Sequence, residues 1–352
     1  MSLKARLEAQ IAAAGPLTVA QYMTACLWDP EDGYYAAHPH LGEDFITAPM
    51  VSQMFGELVG LWAAETWAAL DRPARVVLAE IGPGDGSLIH DALRAARAAP
   101  GFLAAAEVWL VEASRPLAAL QRERLGDRVS WANTLAELPP HLPLILIANE
   151  VLDCLPARQF VPASDGWAER MVGLDQSGEL AWGLRLSPPT STTVSPVGEE
   201  NILEQSPAQA AFAAEIAHRL VQTSGSALLI DYGRAEPGFG DTLQAVRRHR
   251  QVDPLACPGE ADLTVHADFP AALAAAREAG AHTTPVLTQA EFLRRLGIHE
   301  RAAALSRARP DQASIIARQL DRLTGLEQMG ELFKVAAVYA PEGLTLPAFE
   351  ES

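Results

Sequence analysis

The sequence predicts an α/β protein: a Rossmann-like parallel sheet preceded by a helical N-terminal extension and interrupted by an inserted substrate region. Three observations predict it. Apolar runs rich in Val, Leu and Ile begin at Val76 and recur at Leu144 to Ala148 and Ser226 to Asp231, the composition of strands buried on both faces. Segments of helical periodicity lie between such runs, as the crossovers of a parallel sheet require. The first run ends in an acid and then in Gly82, Gly84 and Gly86, where unbranched backbone can turn tightly and approach a ligand.

Taken in order, Leu3 to Ala14 reads as a helix ended by Gly15-Pro16, and Thr18 to Leu27 as a second with Thr18 as its N-cap. Trp28 to Pro49 is turn-rich, and Ser52 to Leu70 is a long apolar-periodic helix. Residues 1–72 therefore form an extension that looks separate from the sheet, residues 73–341 the sheet domain, and residues 342–352 a tail. Within the domain the strand at Val76 is followed by a helix, Leu88 to Ala99. After the break at Pro100-Gly101 come strands at Glu107 to Glu112, near Val129 to Trp131 and at Leu144 to Ala148. Residues 156–198 read as a small β excursion with turns at Gly166, Gly173 and Gly178 and a polar loop from Ser187. A helix, Pro207 to Gln222, leads to the strand ending at Asp231. Helical insertions over residues 250–330 comprise Phe269 to Ala279, Gln289 to Leu296 and Gln312 to Leu323, before a last strand at Phe333 to Tyr339.

Composition narrows the partners. The 352 residues carry 27 Lys and Arg against 44 Asp and Glu, a formal charge of −17. That balance argues against nucleic acid, whose binding depends on neutralising phosphates. The one basic cluster, Arg247 to Arg250, reads as a solvated helix face. Cys26, Cys154 and Cys257 are odd in number and scattered, giving neither a metal pattern nor a disulfide framework and pointing to a reducing compartment. No apolar run approaches the roughly 18 residues of a membrane span, and the start has no signal-peptide core. The expectation is a cytoplasmic protein without stable membrane insertion.

The chemistry starts at the glycine turn. A dinucleotide fingerprint reads G-x-G-x-x-G and sets a pyrophosphate on a helix N-terminus; this chain has G-x-G-x-G with Glu80 just before it. A carboxylate there repels a pyrophosphate and suits a cationic amino group, which S-adenosylmethionine carries. Glu112, at the end of the next strand, is then the candidate for the ribose hydroxyls. The competing view is a plain turn with a solvated acid at each strand end. A second constellation, Asn149, Glu150 and Asp153, follows a buried strand, where ligands of open parallel sheets bind. It is a candidate for holding the methyl acceptor; a guanidinium would be fixed by bidentate carboxylate bonds. Asn149 and Glu150 fit equally well as the cap and first turn of a following helix. Asp231 and Tyr232 form a third candidate at a strand end, whereas Gly240 to Gln244, Pro258 to Thr264, His266 and Asp268 read as structural loops.

These residues, taken with Thr18 to Met23, Asp32-Gly33-Tyr34-Tyr35, Gly42 to Pro49, Glu80 to Gly86, Ala148 to Glu150, Asp231 to Gly233 and Gly259 to Thr264, resemble the MidA family. The resemblance runs from about Pro16 to Pro341. It implies a class I methyltransferase fold using S-adenosyl-L-methionine, with Glu80, Gly82, Pro83, Gly84 and Gly86 in the cofactor loop and Glu112 on the ribose. It also implies that the segment holding Asp44, Thr47 and Pro49 covers the cofactor and that Asn149 and Glu150 line the acceptor side. Many members carry Arg or Lys where this chain has Asp85, a side chain expected to point outward. The implied reaction is symmetric dimethylation of an arginine on the large quinone-side subunit of respiratory complex I during assembly. A small-molecule N- or O-methyltransferase and a non-catalytic assembly factor that retains a cofactor site are the alternatives; a nicotinamide-dependent dehydrogenase is the weakest.

Overall fold

A computed structural model describes residues 1–37, 47–164, 166–189 and 202–350. Helices α1 (Leu3–Ala14) and α2 (Val19–Trp28) open the chain. The start of α2 is a full capping box: the Thr18 hydroxyl accepts from the Gln21 N–H at 3.1 Å, and the Gln21 side chain accepts from the Thr18 N–H at 2.9 Å. Helix α3 (Gln53–Ala69) is capped by Ser52. Strand β1 (Val76–Ile81), helix α4 (Ser87–Ala95), strand β2 (Ala106–Val111), helix α5 (Arg115–Leu125) and strands β3 (Ser130–Ala132) and β4 (Leu144–Asn149) follow. The β excursion is β5 (Arg158–Ala163), β6 (Gly166–Leu174), β7 (Leu180–Leu186) and β8 (Leu203–Gln205). Helix α6 (Pro207–Thr223) leads into β9 (Gly225–Arg234), and then come β10 (Gln244–Arg247), β11 (Arg250–Val252) and β12 (Asp262–Thr264). Helices α7 (Phe269–Glu278), α8 (Gln289–Arg295), α9 (Ile298–Ala308) and α10 (Ala313–Thr324) precede β13 (Phe333–Ala340).

The main sheet runs β13-β9-β4-β1-β2-β3, with β9, β4, β1, β2 and β3 parallel and β13 antiparallel to β9. The pleat explains why the strands read as unbroken apolar runs. Ile145 and Ile147 of β4 enter the core under α3, while Leu144, Leu146 and Ala148 enter the core under α6 and α7. From β1 the chain winds outward through β2 and β3, then returns to β4 on the other side of β1. The order therefore reverses between β1 and β4, and the crevice beyond their carboxyl ends is where such sheets bind ligands. Among the described residues no helix is long and apolar enough to cross a membrane.

The structure departs from the sequence reading in four places. Helix α3 packs into the main-sheet core, whereas α1 and α2 share a third core with Val172, Ala245, Leu255 and Leu263 of the β regions, so the first seventy residues do not stand apart as one unit. Helix α5 was legible only in its start signal, Ser114 before Arg115-Pro116, because its body is highly charged. Helix α9 follows α8 after only Leu296 and Gly297, with no polar break to announce it. Finally, β10, β11 and β12 form a three-stranded antiparallel sheet in a region read as loops. Arg247 to Arg250 is thus a hairpin turn and not a helix face: Arg247 pairs with Arg250 across the two-residue tip. Arg248 and His249 sit there at φ 51° and 59°, a geometry usually signalled by Asn-Gly.

Candidate functional site

Gly82, Gly84 and Gly86 all have positive φ (63°, 54° and 76°), folding the backbone back beyond β1 before α4 begins. This turn forms one wall of a cavity of about 290 Å³ at the sheet's switch point. Glu80, Pro83, Glu112, Asn149 and Glu150 line it from the ends of β1, β2 and β4, and Thr47, Pro49 and Trp28 close it from the N-terminal segment. Asp44 lies outside the described residues.

Glu80 is buried and one of its oxygens, Oε2, has no hydrogen-bond partner among the described residues; Asn149 Oδ1 is likewise buried and unpaired among them. Orphaned acceptors on a cavity wall call for a ligand that brings donors. Burial and the neighbouring Asp85 push the Glu80 carboxyl up to about 8. Asp85 caps α4 by accepting the Ser87 N–H at 2.9 Å and pairs with Arg124 at 2.9 Å. Glu112 is oriented by the Ser114 N–H at 2.7 Å and by the Gln121 amide, which donates at 3.1 Å. Gln121 also donates to the Gly84 carbonyl at 2.8 Å and accepts from the Trp131 indole at 3.0 Å. One α5 side chain therefore ties the glycine turn, the Glu112 carboxylate and β3 together. Sequence reading missed Gln121 along with its helix.

Asn149 and Glu150 do not begin a helix. Glu150 stands at φ 55°, in the left-handed region that a non-glycine residue occupies at a cost of about 1–3 kcal/mol. Its Oε1 accepts from the Asn149 amide at 3.0 Å and from the Ala48 N–H at 3.3 Å. Burial, with the Asp153 carboxylate adding to it, raises its carboxyl to about 8. Asp231 lines neither this cavity nor the next: fully buried, it accepts the N–H groups of Leu152 (2.8 Å), Asp153 (3.1 Å) and Tyr232 (2.8 Å). It anchors the loop that carries Glu150 and Asp153.

Glu150 and Tyr35 also line a second cavity, of about 220 Å³, on the far side. Asp153, Asp262, Tyr232 and Phe333 face it, and none of its lining residues among those described is basic. The Tyr35 hydroxyl donates to Asp262 at 3.3 Å, and its ring lies 4.8 Å from that of Trp28. Burial pushes the Asp153 carboxyl up to about 6. Of the acceptor-side candidates, Glu150 lines both cavities and Asp153 and Tyr232 the second, whereas Asn149, expected on the acceptor side, lines only the first; of the cofactor candidates among the described residues, Gly86 shapes the turn without lining the cavity. Tyr35 and Asp262 were not chosen as site residues, although both stood in segments that carried the family resemblance; only the tertiary fold sets them together.

A parallel sheet with a switch-point cavity, glycine turn and strand-end acids defines a class I S-adenosylmethionine-dependent methyltransferase. The family model for S-adenosyl-L-methionine-dependent methyltransferases matches residues 58–287, and the chain belongs to that family. It is similar to protein arginine methyltransferase NDUFAF7, mitochondrial, from Xenopus tropicalis (32% identical, covering 94% of this chain and 84% of that one). The Homo sapiens protein of the same name is also 32% identical, covering 94% and 81%. Among solved structures, a superfamily member from Burkholderia thailandensis bound to S-adenosyl-homocysteine is 30% identical with a TM-score of 0.86, covering 99% of this chain and 95% of that one. The protein is an enzyme that uses S-adenosylmethionine.

Proposed function

We propose that the enzyme methylates a protein arginine, the guanidinium entering the second cavity while the methyl donor fills the first. The observation that carries this reading is the second cavity's wall: among the described residues it holds three carboxylates, two tyrosines and no basic residue, and Glu150 joins it to the cofactor cavity. Carboxylates grip a guanidinium bidentately, and tyrosine faces attract its charge. When bound, S-adenosylmethionine supplies a methyl group on a positively charged sulfur. Glu80 and Asn149 would offer their orphaned oxygens to its amino group, and Glu112 would hold its ribose hydroxyls. The glycine turn would let the backbone approach the ligand, and Thr47 and Pro49 would cover it. On the acceptor side Glu150 and Asp153 orient the guanidinium plane and hold its charge away from the attacking nitrogen. Tyr232 and Tyr35 wall the cavity, and Asp231 acts through the loop as a positioning residue. Rate then comes mainly from alignment.

The acceptor we favour is an arginine of the large quinone-side subunit of respiratory complex I, symmetrically dimethylated during assembly in the cytoplasm. The family resemblance supports it, as do relatives named as arginine methyltransferases. Incubating the enzyme and S-adenosylmethionine with that purified subunit, then reading dimethylarginine by mass spectrometry, tests it. Methylation of free metabolites but of no protein would overturn it in favour of a small-molecule enzyme.

A further inference from the structure

We infer that Gln121 is a positioning residue for the cofactor's ribose, holding the Glu112 carboxylate so that each of its oxygens meets one of the two hydroxyls, an inference that rests on the assignment of Glu112 to the ribose above. Gln121 is fully buried on α5, one turn beyond Leu117, which itself lines the cofactor cavity. The Trp131 indole can only donate, so it takes the amide oxygen at 3.0 Å. The amide nitrogen is left for the Gly84 carbonyl at 2.8 Å and for Glu112 Oε2 at 3.1 Å, which accept. The amide therefore has one orientation. The Arg122 guanidinium lies over the Trp131 ring at 4.6 Å and steadies the indole in turn.

A packing role alone does not account for this side chain. Burying an amide costs free energy that a leucine at the same helix position would not incur, and only its partners offset that cost. Two of those partners, Gly84 and Glu112, line the cofactor cavity. The glycine turn is packed against it as well: a Cβ added at Gly86 would meet Gln121 Cγ at 3.5 Å. Glu112 receives one N–H on each oxygen, that of Ser114 on Oε1 at 2.7 Å and that of Gln121 on Oε2. A carboxylate oxygen accepts through two lone pairs, so one remains on each for a ligand. Two oxygens with one open position apiece match a pair of neighbouring hydroxyls, which brings two donors. Without Gln121 the carboxylate is held at one oxygen and is free to turn about its terminal bond.

The test compares, by calorimetry on the full-length enzyme, S-adenosyl-homocysteine with its 2′,3′-dideoxyribose analogue, which lacks both hydroxyls. The readout is the ratio of the two affinities, because a general disturbance of α5 or of the glycine turn weakens both ligands alike and leaves the ratio unchanged. A hydrogen bond to a charged group contributes about tenfold or more, so the wild type is expected to prefer the intact ribose by at least ~100-fold. Gln121→Met keeps the length and removes the amide; it should cut that preference about tenfold, and Glu112→Ala should abolish it. Should Gln121→Met fail to fold, Trp131→Phe takes its place: it frees the amide oxygen to turn toward Glu112 and should cut the preference as well. A preference in the variant that stays within about threefold of the wild type's overturns the inference. If Glu112→Ala loses the preference while that variant keeps it, only the inference about Gln121 falls. A wild type that binds both ligands equally removes the ribose assignment along with it.

Discussion

Glu150 carries the link between the two cavities, and its backbone is held in a left-handed conformation while its carboxylate touches Asn149 and Ala48. Substituting Glu150→Gln keeps the shape and removes the charge facing a buried guanidinium, a loss of about 3 kcal/mol. Methyl transfer should accordingly fall ~100-fold, while S-adenosyl-homocysteine binding, read by calorimetry, changes by only a few-fold. The raised carboxyls set a pH dependence. Glu80 and Glu150 sit near 8 in the ligand-free protein against an ordinary value of 4.5, so the folded state holds more protons than the unfolded chain between those limits. Unfolding stability should then decline as pH rises from about 5 to about 8, since the native state must surrender protons that the unfolded state has already lost. Binding of a cationic ligand has the opposite sign: it strengthens over the same window, because the carboxylate is the form that binds. Thermal melting with and without S-adenosyl-homocysteine at pH 6 and pH 8 checks both. A melting temperature of the free protein that climbs with pH across this interval would refute the buried-acid assignment.

At the scale of elements, the glycine turn and the α3–α4 crossing are the two points where a side chain changes the outcome. Gly84 has φ 54°, so Gly84→Val places a β-branched residue where only unbranched backbone is unstrained. Calorimetry should show tight S-adenosylmethionine binding by the wild type and none by the variant, with no heat from NAD in either. In α3 a Cβ at Gly60 would meet the Ala92 carbonyl oxygen at 2.4 Å. Gly60→Ala should therefore cost about 1–3 kcal/mol in urea unfolding by forcing α3 and α4 apart. A neutral result would mean the two helices are less closely set than described. Strands β1, β4 and β9 were legible in the sequence because burial on both faces leaves short apolar runs rich in Val, Leu and Ile, bounded by turn residues. The hairpin β10–β11 was not, since its tip is Arg-His rather than a recognised turn pair. Helix α5 was hidden for a different reason: Leu117, Ala118, Gln121 and Leu125 are its buried positions, too thin an apolar stripe to stand out among its arginines.

In the whole molecule three cores meet around the two cavities. Two lie on opposite faces of the main sheet, and the third joins α1 and α2 to the smaller sheets. The cofactor side could be read from one continuous stretch, Glu80 to Gly86, because its chemistry is local. The acceptor side could be read only in half. Glu150, Asp153 and Tyr232 stood at strand ends and were chosen from the sequence, but Tyr35 and Asp262 arrive from two distant segments, and no spacing announces their meeting with the others. On the proposed reading, that assembly is also what fits a methyltransferase fold to a cationic acceptor. The most direct check is a comparison of one peptide carrying arginine or citrulline, its uncharged isostere, at the same position, titrated into enzyme saturated with S-adenosyl-homocysteine. Arginine should bind at least ~30-fold more tightly, the equivalent of about 2 kcal/mol for a desolvated charge pair, and the difference should shrink in Glu150→Gln. Equal binding of the two peptides would contradict the account.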